Sequence, residues 1–98
     1  MRDRDFYCVI GRRLRARRLL LGLTQRQVGV RCGLTFQQIQ KYEAGVTAIQ
    51  VARLITVAEA LQAPASEFIA GLQDARGAPP ERQAANWRPA GDDLDAVA

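Results

Sequence analysis

Residues 37–41 read Gln37, Gln38, Ile39, Gln40, Lys41, so three amides and one ammonium crowd around a single apolar side chain. An amide donates and accepts at once. Glutamine can therefore pair in two places with a base edge that offers one donor and one acceptor, as adenine does through N6 and N7. A lysine beside it reaches guanine acceptors or a phosphate. On a helical wheel with Ile39 at the origin, Tyr42 and Glu43 fall within about 60° of it, and Gln37 and Lys41 fall almost opposite. Gln40 and Ala44 flank the polar pair, and Gln38 takes the other edge. Phe36 stands in the first turn, where it can pack on a thymine methyl. Glutamines are also ordinary polar helix surface, so the elements around them decide which reading holds.

Those elements are short helices divided by glycine, proline and capping residues. The first is expected over residues 6–21, with a buried stripe of Ile10, Leu14 and Leu21, and Gly22 stops it. Thr24 caps a second helix, Gln25–Cys32, which ends at Gly33. Thr35 caps a third, Phe36–Ala44, which ends at Gly45. After the connector VTAIQ, a fourth helix is expected over residues 50–61, burying Val51, Leu54, Val57, Ala58 and Leu61. Pro64 opens a fifth over residues 65–72, carrying Phe68, Ile69 and Leu72. Residues 74–98 hold three prolines, an acidic end and the lone Trp87, without apolar periodicity. They read as a flexible tail. The chain is thus expected to be all-α, with one five-helix domain over residues 6–73.

Charge is unevenly placed. Residues 1–45 carry ten basic side chains against three acids, a net +7, while residues 46–98 are net −3. A basic half suits a polyanion; a solvated, arginine-rich helix face is the plainer alternative. With Cys8, Cys32 and no histidine, the chain offers neither a zinc ligand set nor a cysteine nucleophile with its usual base. Neither a cofactor nor an enzymatic activity is expected. No apolar run approaches the length of a membrane span, and the expected location is the cytoplasm.

The link between the second and third helices, CGLT, is too short for an antiparallel hairpin, so the two must cross at a large angle. That crossing needs apolar side chains in the angle, supplied by Val28, Cys32, Leu34, Ile39 and Tyr42. It needs a small residue at the close approach, Gly29, and a residue tolerant of positive φ where the chain leaves the helix, Gly33. Together with GLTQ, IQKYEAG and the later pattern of ARLITVAEALQAPASEF, these residues resemble the phage-repressor type of helix-turn-helix domain, also called the xenobiotic-response-element family. The likeness covers about residues 9–72. Gly29 stands where the family usually has alanine, and the loop after Gly45 lacks the basic residue and the proline common there.

The resemblance implies a cytoplasmic double-stranded DNA-binding regulator, often a homodimer. It implies Gln25 on the DNA backbone, Phe36, Gln37 and Gln40 toward bases, and an ion pair between Arg18 and Glu43. The full expected base-reading set is Phe36, Gln37, Gln38, Gln40 and Lys41. The expected backbone set is Thr24, Gln25, Arg26, Thr35 and Thr47. Arg18, Glu43, Gly29, Gly33, Ile39 and Tyr42 are expected to be structural. Two rival readings share the fold: an antitoxin holding a toxin through the tail around Trp87, and a protein-interaction adaptor, which would be expected to spoil the outer face of the third helix.

Overall fold

A computed structural model describes residues 2–72, and the expected tail with Trp87 lies outside them. The described residues form five helices: α1 Asp3–Leu20, α2 Gln25–Cys32, α3 Phe36–Ala44, α4 Val51–Ala60 and α5 Ser66–Ile69. α1 packs on α3 and α5, and α2 packs on α3 and α4. The core is a cluster of side chains from every helix, including Ile10, Leu14, Val28, Ile39, Leu54, Val57, Leu61 and Phe68.

The helix ends differ from expectation in three places. α1 starts at Asp3 rather than near residue 6. The Arg2 backbone N–H donates to the Asp5 carboxylate at 3.1 Å, and two acids in the first turn suit the positive end of the helix. α4 begins one residue late, with Gln50 as its N-cap, and Val51 is 74% exposed rather than buried. α5 is a single turn, because Ala70 already has ψ 132° and Gly71 follows at φ 78°. Ile69 is consequently exposed, while Phe68 and Leu72 are buried. Ile49, in the connector, takes a core position that the helical pattern had not assigned.

Two glycines set how closely the helices approach. At Gly11, in the middle of α1, a Cβ would lie 2.5 Å from the Glu43 carbonyl oxygen and closer still to that of Tyr42. The backbone of α1 thus rests on the last turn of α3. At Gly29 a Cβ would lie 2.6 Å from the Leu34 carbonyl oxygen, and the Gly29 carbonyl accepts from the Leu34 N–H at 2.8 Å. The turn is closed too tightly for the alanine more usual at this place. Between Gly29 and Leu34, Gly33 leaves α2 at φ 72°.

Much of the arginine content serves the fold. Arg17 donates through Nε to the Leu61 carbonyl and through Nη2 to that of Gln62, both at 2.9 Å. Arg31 donates to the Ala60 carbonyl at 3.2 Å, and Arg13 to that of Ala70 at 2.7 Å. These are carbonyls at the ends of α4 and α5, which lack helical partners and carry the negative end of the dipole. The charge of the first half is therefore partly a set of helix caps rather than a free basic surface.

Cys32 is half-buried between α2 and α4, with its thiol 3.9 Å from the Thr56 carbonyl oxygen. Burial pushes the thiol pKa up, against a smaller opposing pull from Arg53. A thiol held protonated is a poor nucleophile, which agrees with a packing role.

On helix propensity alone, Gly11→Ala would stabilise α1 by about 1 kcal/mol. Here it should instead destabilise by about 1–3 kcal/mol, the usual effect of overpacking. Urea unfolding of the two proteins measures the sign, and a gain in stability would show that α1 and α3 do not touch as described.

Candidate nucleic-acid interface

The site is built from two successive helix starts. Thr24 accepts from the Gln27 N–H at 3.0 Å, and Gln27 Oε1 accepts from the Thr24 N–H at 2.8 Å. Thr35 and Gln38 repeat the arrangement, at 3.2 Å and 3.0 Å. These reciprocal boxes satisfy donors that a helix start otherwise leaves open. The threonines were visible as caps in the sequence, while Gln27 was not singled out and Gln38 was expected to read bases rather than to cap. The T-x-x-Q spacing carried that signal twice.

α3 is held from its inner side. Arg18 Nε donates to Glu43 Oε2 at 2.7 Å, and Arg18 Nη2 to Glu43 Oε1 at 3.0 Å. The side chains of this two-pronged pair are 10% and 5% exposed. Arg18 Nη1 also donates to the Leu23 carbonyl at 2.8 Å. Gln25 Nε2 donates to Glu43 Oε1 at 3.1 Å. The carboxylate thus ties α1, the start of α2 and α3 together. Ile39 is buried on the same side of α3, and Tyr42 is half-buried.

The opposite side carries the amide face. Gln37, Gln40, Lys41 and Ala44 are all exposed. Gln38 is exposed too, but its Oε1 is occupied by the cap, so it lacks the free amide of Gln37 and Gln40. Gln25 also departs from expectation, because its side-chain amide turns inward to Glu43 rather than outward. What it offers outward is its main-chain N–H in the first turn of α2. Phe36 is half-buried, with the Arg26 guanidinium carbon 4.9 Å from its ring centroid. Thr47 is exposed in the loop between α3 and α4. In the same loop, Gly45, Val46 and Ala48 line a shallow cleft of about 400 Å³ with Arg4 and Tyr7 of α1. Arg4 thus brings a cation beside a loop that has none of its own. Nothing in the local pattern signals this, since the two segments are some forty residues apart.

A buried anchor beneath a short capped helix, with an adaptable polar face outward, is a geometry for reading another surface. Comparison with known proteins identifies it. The helix-turn-helix family profile matches residues 14–68.

The chain belongs to the helix-turn-helix family, of the phage-repressor type.

It is 43% identical over 68 residues to an HTH-type transcriptional regulator of Sinorhizobium medicae, a match covering 69% of this chain and 47% of the relative. It is 44% identical over 70 residues to a transcriptional regulator in the ATPase CF(0) region of Rhodospirillum rubrum, covering 71% and 63%. The chain spans about half the length of the first of these relatives. Among solved structures it resembles the P22 c2 repressor in complex with a synthetic operator, at TM-score 0.60 and 28% identity, covering 64% of this chain and 96% of that one. The fold is also that of the clp gene regulator ClgR from Corynebacterium glutamicum, at TM-score 0.66 and 22% identity, covering 94% and 88%. The family is one of transcriptional regulators with a DNA-binding helix-turn-helix fold. Among the described residues no helix is long and apolar enough to cross a membrane.

Arg18→Ala leaves the Glu43 carboxylate buried without its main partner and should cost about 3–5 kcal/mol. Replacing both by apolar residues, Arg18→Met with Glu43→Leu, should cost less than the sum of the two single changes. Urea denaturation of the four proteins in a double-mutant cycle measures the coupling, and purely additive losses would mean that the pair is not buried as described.

Proposed function

We propose that this chain is a sequence-specific double-stranded DNA-binding transcription regulator, a repressor that acts as a homodimer and places α3 in the major groove. The observation that carries the reading is the division of α3 into two faces. One is anchored by the buried Arg18–Glu43 pair, and the other presents Gln37, Gln40 and Lys41 to solvent. A reading helix must be held rigidly while its outer side chains stay free, and glutamine and lysine match the donors and acceptors of base edges.

The backbone contacts follow from the helix starts. The open N–H groups of α2, beginning at Gln25, suit a phosphate, with the caps Thr24 and Thr35 alongside. Thr47 would meet the backbone from the loop after α3, with Arg4 beside it. The likeness to a repressor solved with its operator supports the same placement. A homodimer follows from economy of contact, since one short reading helix covers too few base pairs for a specific site. Leu20 and Ile69, exposed on α1 and α5, suit a contact between copies.

Selection of bound duplexes from a random pool should return an inverted repeat with half-site centres about 10–11 base pairs apart, or a multiple of one turn. Four of the arginines in the first half are engaged within the fold, so the phosphate contacts are fewer than the net charge suggests, but binding should still depend strongly on salt. A dimer neutralising about six phosphates gives a slope near −5 in log affinity against log salt. A flat salt response would contradict DNA binding, and protection of a single half-site by a monomer would contradict the dimer.

A further inference from the structure

Arg26 is the second residue of α2 and Phe36 the first of α3, and the guanidinium of one lies over the ring of the other. Arg26 is exposed, and Phe36 is half-buried beneath it. From charge and position alone Arg26 belongs with the phosphate contacts. The stack gives it a different task. A cation over an aromatic face is held by the ring quadrupole, so the side chain is ordered before any DNA arrives. The guanidinium carbon lies 4.9 Å from the ring centroid, so two flat groups sit side by side at the start of α3. Successive base pairs are also flat groups, about 3.4 Å apart along the axis. Two adjacent side chains at the start of α3 can therefore meet two neighbouring base pairs when that end enters the major groove.

We propose that Arg26 and Phe36 act as one stacked unit that reads a C5-methylated pyrimidine next to a guanine, with Phe36 against the methyl group and the Arg26 fork on guanine O6 and N7. The proposal rests on the DNA-binding reading and deepens it by assigning a dinucleotide to the start of α3. The chemistry of each partner is specific. In the major groove a methyl group on pyrimidine C5 marks thymine or 5-methylcytosine, and a guanidinium pairs in two places with guanine O6 and N7. The stack also makes each half depend on the other. Without Phe36 the arginine swings freely toward phosphates, and without Arg26 the ring loses the group that covers it.

The test uses the duplex selected from a random pool. Each thymine of a half-site is replaced in turn by uracil, which removes only the methyl group. Each guanine is replaced in turn by 7-deazaguanine, which removes only the N7 acceptor. For the unaltered protein, one uracil replacement should weaken binding about fourfold, the effect of one buried methyl. One 7-deazaguanine replacement at the neighbouring base pair should weaken it about fivefold or more. Arg26→Ala removes the fork altogether, and should no longer sense the 7-deazaguanine. Phe36→Leu keeps an apolar contact but loses the aromatic face, and should blunt the same guanine response. Replacing that thymine by 5-methylcytosine, with guanine for adenine opposite, should bind more tightly than the same duplex with plain cytosine.

If every uracil and 7-deazaguanine replacement is neutral while the protein still prefers its selected duplex, the stacked reader is overturned and the DNA-binding reading stands. If Phe36→Leu leaves the guanine response intact, the two residues do not act as a unit, and the proposal fails. If no duplex is preferred over any other, both readings fail together.

Discussion

Glu43 points inward from the helix that faces outward, and a carboxylate taken out of water must be matched almost completely. Arg18 matches it with two parallel bonds, and Gln25 adds a third. Apolar side chains of similar volume would fill the same space with equal or greater stability. They would not fix direction, because packing contacts tolerate small rotations and a two-pronged ion pair does not. The pair therefore holds the rotation of α3 about its own axis. Which side chains point away from the protein follows from that one constraint. Gly11 serves it from the other side, by letting the α1 backbone settle onto the carbonyls of Tyr42 and Glu43.

The arginines divide by task. Arg13, Arg17 and Arg31 close the carbonyl ends of α4 and α5, and Arg18 sits in the buried pair. A small domain with short helices has many open carbonyls for its size, and each needs a donor. A long side chain with several donors can supply one from a neighbouring helix, which explains why so many arginines lie on the first two helices. Net charge alone therefore overstates the basic surface. The cations in position to meet a partner are fewer; among them Arg26 is held over the Phe36 ring, and Arg4 lines the cleft beside the loop after α3.

Features written in local chemistry were legible in the sequence. Thr24, Thr35, Gly33 and Gly45 mark helix ends through bonds and torsions that involve only their near neighbours, and α2 and α3 fall where those residues put them. Features that depend on distant segments were not. Val51 has the right period for the core, but at the first position of α4 it stays exposed, while Leu54 one turn on is buried. Ile49 lies in a connector without periodicity, yet it is buried in the core cluster. Gly11 reads as an ordinary helix glycine until α3 is laid across it. In the site, the amide face of α3 followed from spacing alone. The inward turn of Gln25 and the use of Gln38 as a cap depend on which hydrogen-bond partner each amide finds first, and a helical wheel does not contain that choice.

The central claim is that α3, held from within by Glu43, reads sequence through the opposite side. Gln37 stands at the middle of that side and is exposed, so it separates reading from mere holding. The most direct measurement is the affinity of Gln37→Ala and of the unaltered protein for the selected duplex and for a scrambled one, at a single salt concentration. Loss of a base contact should weaken binding to the selected duplex by about 1–3 kcal/mol, with far less effect on the scrambled one. Equal weakening on both duplexes, or none on either, would contradict the claim that this face of α3 reads bases.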